Sequence, residues 1–206
     1  MSRPPVLVLA SRNPDKIREL SALFADLPLE AVRSALDYPH MDEVEETGST
    51  LAENALLKAW AVAEETGHPA VADDTGLFVD ALDGDPGIYA SRYAGEDCSY
   101  GENCRKLLSE LEGEKPPRSA RFKTAMALVD PETGVEEVVE GVLEGEILTE
   151  MRGKGGFGYD PLFLVEGTSQ TLAEMDLGRK NKISHRARAA KAMLEVLAEF
   201  LENREV

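Results

Sequence analysis

The sequence predicts an α/β fold, a mixed central β-sheet flanked by helices. Three observations carry this. Val6-Leu7-Val8-Leu9-Ala10 is a continuous apolar run with β-branched residues that passes directly into polar turn residues and then a helical pattern. A second helical pattern, from Thr50 to Glu65, is stopped at Gly67 and gives way to another apolar stretch, Pro69-Ala70-Val71-Ala72. Phe122 to Val129 and Val135 to Ile147 flank Asp130-Pro131-Glu132-Thr133-Gly134, a composition suited to a hairpin turn. Strand–helix units favour parallel pairing and a hairpin requires antiparallel pairing, so a sheet holding both is mixed.

Each element has its own local warrant. In the first helix, about Pro14 to Ala25, Ile17, Leu20, Leu23 and Phe24 share a face. Asn13 is its natural N-cap, and Pro14 fits the first helical position, where no N–H is needed. Leu51, Ala55, Lys58 and Val62 form one stripe of the second helix. Leu77 to Leu82 is apolar but is followed by Gly84 and Gly87, and Asn103 to Leu111 reads as helix. A long helix from Ser184 to Glu202 closes the chain, with Ala189, Ala192, Met193, Val196, Leu197, Phe200 and Leu201 on one side. No repeat or low-complexity linker divides the 206 residues, which suit one compact domain or two small lobes sharing a core.

Charge narrows the function. Lys plus Arg number 22 against 39 Asp plus Glu, a formal net charge of −17. Such a field repels polyanions and argues against non-specific binding to nucleic acid or anionic membrane, while leaving room for a small anion at a locally basic site. The N-terminal lead, Met1-Ser2-Arg3-Pro4-Pro5, opens onto only a short apolar run, too short for a signal-peptide core or a membrane span. Cys98 and Cys104, the only cysteines, match neither a zinc site nor a redox motif and are expected as free thiols in a reducing compartment. The expectation is a soluble cytoplasmic protein.

Five segments can carry chemistry. Ser11-Arg12-Asn13-Pro14-Asp15-Lys16 joins a buried strand to a helix N-terminus, whose free N–H groups and partial positive charge can receive phosphate, with Lys16 adding a full charge. Taken alone, it equally describes a well-capped helix with a surface lysine. Asp73-Asp74-Thr75-Gly76 places two acids immediately after an apolar strand, at the end where α/β proteins bind ligands. Adjacent side chains point to different sides, so one carboxylate can face a metal such as Mg²⁺ and water; an Asx-turn is the structural alternative.

Asp37 to Glu53 holds Asp42, Glu43, Glu45, Glu46 and Glu53 with no Lys or Arg between Arg33 and Lys58. Most of such a run is a solvated face, but one carboxylate can complete a metal site. Gly153-Lys154-Gly155-Gly156-Phe157-Gly158-Tyr159-Asp160-Pro161 combines glycines for close approach, rings for stacking on a planar heterocycle and an acceptor at Asp160. Arg179 to Arg188 leads into the closing helix, with Ser184 as its N-cap and His185 and Arg186 at the positive helix end, a conflict that an anionic ligand would relieve.

In order along the chain stand Ser-x-Asn-x-x-Lys from Ser11, Glu-Thr-Gly-x-Thr-x-x-Glu-Asn-Ala-x-x-Lys-Ala from Glu46, and Ala-Asp-Asp-Thr-Gly-Leu from Ala72. Pro-Gly-Ile-Tyr-Ala-Ser-Arg-Tyr-Ala-Gly from Pro86, Gly-Gly-Phe-Gly-Tyr-Asp-Pro-Leu-Phe from Gly155 and Ser-His-Arg from Ser184 follow. Together they resemble the inosine triphosphate pyrophosphatase family across nearly the whole chain.

The resemblance implies Mg²⁺-dependent hydrolysis of non-standard purine nucleoside triphosphates (ITP, dITP, XTP) to the monophosphate and pyrophosphate. It also implies one such domain over 1–206, two lobes with a substrate cleft, and a homodimer. By matching position it makes Asp74 the metal-binding general base and Glu46 the second metal carboxylate, with Glu45 a neighbouring competitor. Ser11, Arg12, Asn13, Pro14, Asp15 and Lys16, with Lys58, become the polyphosphate cradle. Phe157 would stack on the base, with Gly158, Tyr159, Asp160, Lys180, His185 and Arg186 around its edge, and Thr75 would contact substrate. Ser11 and Thr75 exchange the family's usual Thr and Ser and keep the hydroxyl. Arg12 and Ala187 stand at usual glycine positions, which bears on any positive φ there. A non-catalytic nucleotide-binding regulator, or a related Mg²⁺ nucleotide hydrolase with another base preference, are the rival readings; the first would need neither carboxylate.

The net charge hides two opposed windows. Leu177 to Leu194 has six Lys/Arg and no Asp/Glu, while Ser34 to Leu57 has six Asp/Glu and no Lys/Arg. The first suits a polyphosphate or base edge and the second a metal carboxylate.

Overall fold

A computed structural model describes residues 5–204; residues 1–4 of the N-terminal lead lie outside them. The chain runs β1 (Val6–Leu9), α1 (Pro14–Leu23), β2 (Ala31–Ser34), α2 (Leu51–Thr66), β3 (Ala70–Val79) and β4 (Pro86–Gly87). It continues through α3 (Tyr100–Glu110), β5 (Ser119–Asp130), β6 (Val135–Ile147), β7 (Phe163–Val165), α4 (Leu177–Ile183) and α5 (His185–Arg204). The strands follow the order β2-β1-β3-β5-β6-β7, with β4 on β3. β1 pairs in parallel with β2 and β3, whereas β4 on β3 and β7 on β6 are antiparallel. The sheet is therefore mixed and the fold α/β, as the sequence predicts.

The chain divides into two compact units. The first holds the residues up to Asp74, Thr124–Gly141 and the residues from Arg188 on; the second holds Thr75–Lys123 and Val142–Ala187. In the first, Leu7 and Leu9 of β1, Val71 of β3 and Met126 and Leu128 of β5 pack against Leu20 and Phe24 of α1 and Met193 and Leu197 of α5. All four β1 residues are buried, the pattern of a strand covered on both faces. In the second, Leu77, Leu107, Phe122, Leu143 and Phe163 share a core with α3.

Asn13 and Gly67 act as the sequence indicates. Asn13 Oδ1 accepts from the backbone N–H of Asp15 at 2.9 Å and of Lys16 at 3.4 Å, and Pro14 opens α1. Thr50 caps α2 through the Glu53 N–H, and Gly67 ends it at φ +67°, a left-handed position that favours glycine. Among the described residues no helix is long and apolar enough to cross a membrane.

Two expectations change. β3 does not stop at Ala72; it runs for ten residues in all, Ala70–Val79, so Asp73 and Asp74 lie inside the strand, both buried. Lysines face both carboxylates, so the acids need not leave the strand to find compensation. The basic run before the closing helix is also its own helix, α4. Asp176 caps α4 by accepting from the Arg179 N–H at 2.8 Å, and Ser184, extended at ψ 159°, ends it. Ser184 Oγ then accepts from the Ala187 N–H at 3.1 Å, the N-cap bond predicted for α5. β2, β4 and β7, four residues or fewer each, are too short to give a periodic signal.

Candidate active site

In the first unit, α2, β3 and the loop before α2 bring four polar side chains together. Lys58 Nζ lies 2.9 Å from Asp74 Oδ1 and 2.8 Å from Glu46 Oε1, so two carboxylates converge on one cation. Asn54, one turn before Lys58 on α2, donates to Asp74 Oδ2 at 3.3 Å. Burial raises the Asp74 pKa; Lys58 opposes that and Glu46 reinforces it, leaving the carboxyl above its ordinary range. Lys58 shows the reverse balance: burial disfavours its charge, but Asp74, Glu46 and Asp73 outweigh that and hold the ammonium above its usual value.

Glu46 rather than Glu45 joins this cluster. In the segment before α2 exposure alternates, with Glu45 out in solvent and Glu46 turned inward. Asp42 and Glu43 are exposed, and Glu53 accepts from Ser49 N at 2.6 Å, so these acids belong to the solvated face and the helix start. Among the described residues no group of three or more His, Cys, Asp or Glu side chains forms a metal cage.

The turn from β1 into α1 lies in the same unit. Lys16 Nζ is 3.0 Å from Asp73 Oδ2 and 3.4 Å from the Asp73 carbonyl. Ser11 Oγ accepts from the Asn13 N–H at 3.2 Å, and Asp15 pairs with Arg18 at 2.8 Å. Arg12 donates to the Met41 carbonyl. Neither Arg12 nor Ala187 has a positive φ, so loss of the family's usual glycine imposes no strain at either place.

In the second unit, Asp160, Lys180, His185 and Arg186 are all buried. Asp160 Oδ2 accepts from Lys180 Nζ at 2.7 Å and from the Phe157 N–H at 3.0 Å. Lys180 Nζ sits 4.6 Å and Arg186 Cζ 5.4 Å from the Phe157 ring centroid, within cation–π range. Arg186 also donates to Thr75 Oγ1 at 3.4 Å, and the His185 ring stacks on Phe122 at 4.6 Å. Gly156 is required by close approach: a Cβ there would fall 2.0 Å from Asp160 Oδ2.

Tyr159 differs from its predicted part. It is buried in the core and its hydroxyl donates to the Ala90 carbonyl at 2.8 Å, so the ring anchors the loop instead of offering a stacking face. Burial pushes its hydroxyl pKa up. The neighbouring Gly158 carbonyl accepts from Cys104 Sγ at 3.4 Å. Both cysteines are free, as expected.

Sequence reasoning did not single out Asn54 or Tyr100. Tyr100, at the start of α3, places its ring 5.9 Å from that of Phe157. Asn54 had a legible signal, a polar residue four before Lys58 on a buried stripe. Tyr100 had none, because its neighbour lies 57 residues away in sequence.

Comparison with known proteins identifies the family of the chain. A protein of Bacillus licheniformis named dITP/XTP pyrophosphatase is 49% identical over 193 residues, 93% of this chain and 97% of the relative. One of the same name from Streptomyces coelicolor is 49% identical over 198 residues, 95% of this chain and 98% of its own. The structure of a HAM1 protein from Coxiella burnetii superposes with a TM-score of 0.86 at 43% identity, covering 95% of this chain and 99% of that one. A nucleoside-triphosphatase, dITP/XTP pyrophosphatase, from Mycobacterium abscessus gives 0.74 at 42% identity, with coverage of 92% and 98%. The Ham1 family model matches residues 7–196, a span containing every side chain of both clusters, and with relatives this similar over nearly their full length the chain belongs to the Ham1 family.

Proposed function

We propose that the chain hydrolyses non-standard purine nucleoside triphosphates, ITP, dITP and XTP, to the monophosphate and pyrophosphate in a Mg²⁺-dependent reaction. The observation that carries the chemical part is the convergence of Glu46 and Asp74 on Lys58. Their carboxylate oxygens are donors that suit Mg²⁺, which is commonly held by one or two carboxylates together with substrate phosphates. Glu46 and Asp74 would hold the ion, which when bound supplies positive charge against the phosphate oxygens.

The chain's own residues do the rest. Asp74, with its pKa raised, orients a water and accepts its proton as the oxygen attacks the α-phosphorus in line. Lys16 and Lys58 offer charge to the polyphosphate, and the Ser11–Lys16 turn adds the positive end of the α1 dipole. Thr75, next in the chain after Asp74, supplies a hydroxyl to the substrate.

Base selection falls to the second cluster. Phe157 stacks on the purine while the 157–160 loop, Lys180, His185 and Arg186 read its edge. A 6-oxo group accepts hydrogen bonds where the 6-amino group of adenine donates, so ATP would set donor against donor at groups such as Arg186. Each such mismatch costs about 1–3 kcal/mol, and several together reject a substrate strongly. GTP shares the 6-oxo group, so its exclusion rests on crowding at the 2-amino position near the 157–160 loop.

The same reading takes the protein as a cytoplasmic homodimer that acts on free nucleotides, without nucleic-acid or membrane partners. Purified protein given dITP and Mg²⁺ is expected to release pyrophosphate and dIMP, with ATP and GTP far poorer. Asp74→Asn is expected to lower that release by about 10²–10⁴-fold while retaining nucleotide binding. Stepwise release of phosphate, or an active Asp74→Asn protein, overturns the mechanism. Sedimentation equilibrium tests the dimer.

A further inference from the structure

We infer that Asn54 is a positioning residue that sets the geometry of Asp74 and of the loop carrying Glu46; the inference rests on the pyrophosphatase reading and deepens it. Asn54 is completely buried, at 0% exposure, in α2. Its Oδ1 accepts from the Gly48 N–H at 2.8 Å and its Nδ2 donates to Asp74 Oδ2 at 3.3 Å. These partners fix the amide's orientation. Gly48 presents a donor and an ionised carboxylate presents only acceptors, so a flipped amide would lose both bonds.

At one end of this connection Asp74 is held through both oxygens, Oδ1 by Lys58 and Oδ2 by Asn54. The two donors stand four residues apart on one face of α2, so the helix presents the carboxylate in a single orientation. At the other end Gly48 follows Glu46 by two residues and is seated closely on Asn54. A Cβ on Gly48 would fall 2.6 Å from Asn54 Oδ1 and 2.7 Å from Glu53 Cβ. Lys58 holds Glu46 by charge, whereas Asn54 holds its loop by the backbone. One neutral side chain therefore links the strand bearing one carboxylate to the loop bearing the other, and its contribution is geometric.

The test compares wild type with Asn54→Ala and Asn54→Asp in three measurements: kcat and KM for dITP with Mg²⁺, Mn²⁺ binding to nucleotide-free protein by electron paramagnetic resonance, and circular dichroism for folding. In Asn54→Ala, kcat is expected to fall about 10–100-fold and Mn²⁺ affinity about tenfold, while KM moves by less than about threefold. Asn54→Asp keeps the size and still accepts from Gly48, but sets an oxygen against Asp74, so its kcat is expected to fall at least as far. A role in packing alone predicts that this near-isosteric variant keeps its kcat. An Asn54→Asp protein within about twofold of wild-type kcat overturns the inference, and it decides alone if Asn54→Ala does not fold. If wild type fails to cleave dITP, the pyrophosphatase reading falls separately. The Mn²⁺ affinity of Asn54→Ala then decides: weakened binding sustains the role of Asn54 and unchanged binding ends it.

Discussion

Asp73 and Asp74 are consecutive in β3, yet each carboxylate faces a different lysine: Asp73 Oδ2 lies 3.0 Å from Lys16 Nζ, and Asp74 Oδ1 lies 2.9 Å from Lys58 Nζ. Alternation along the strand separates the two tasks. Asp73 steadies the lysine of the β1–α1 turn, while Asp74 joins the carboxylate that comes from the loop. Asp73→Asn is therefore expected to loosen Lys16 and raise KM for dITP by about 5–10-fold with a smaller change in kcat. Asp74→Asn acts mainly on kcat. Steady-state kinetics on the two variants checks this division, and an Asp73→Asn protein that loses kcat as deeply as Asp74→Asn contradicts it.

Glu46 and Glu45 differ only in the direction they face. Glu46 Oε1 meets Lys58 Nζ at 2.8 Å, while Glu45 lies in solvent. Glu46→Gln is expected to raise the Mg²⁺ concentration needed for half-maximal rate by about 10–100-fold, and Glu45→Gln to leave it within about twofold. A Mg²⁺ titration of the initial rate reads both. Equal effects would mean that the inward turn of Glu46 has no bearing on the metal.

Much of this arrangement was legible in the sequence where local physics dominates. Asn13 and Pro14 announce the start of α1, Gly67 the end of α2, and the Asp130–Gly134 turn the connection between β5 and β6, because caps and turns depend on neighbours. The strand end at Ala72 was misplaced because acids usually leave a strand. Here lysines brought from α1 and α2 compensate Asp73 and Asp74, and no window of β3 contains them. The choice of Glu46 over Glu45 likewise depended on Lys58, twelve residues on, whereas α4 carries a local sign, the Asp176 cap, that reading the basic run as part of one closing helix passes over. Tyr159 carried the residue type of a stacking ring but found its hydroxyl partner in the Ala90 carbonyl, 69 residues away.

The two glycines flanking Phe157 have the same backbone requirement and different surroundings. Gly156 and Gly158 have φ of +69° and +61°, but a Cβ on Gly156 would strike Asp160 Oδ2 at 2.0 Å while one on Gly158 meets nothing within 4 Å. Gly158→Ala is expected to cost only the left-handed penalty, about 1–2 kcal/mol. Gly156→Ala must also displace the carboxylate that accepts from Lys180 and the Phe157 N–H, adding about 1–3 kcal/mol and lowering dITP turnover. Urea unfolding alongside kinetics separates the two; equal stabilities would show that Asp160 can move aside freely.

Cys104 carries a pH dependence with a defined sign. Burial pushes its thiol up to about 11, with Asp160 adding to the shift. In the unfolded chain a thiol ionises near its ordinary value of about 8.5. The folded-state pKa is the higher one, so the contribution to stability is complete below the unfolded value and is lost as pH rises through that window toward 11. The urea midpoint is therefore expected to fall between about pH 8 and pH 11, and to fall less steeply in Cys104→Ala. The same burial governs reactivity, because the thiolate is the nucleophile. Cys98 is only half-buried, so in the native protein a thiol reagent should label Cys98 and reach Cys104 only after denaturant is added. Equal labelling rates for the two cysteines, or a urea midpoint flat across the alkaline range, would rule out a thiol held protonated by this core.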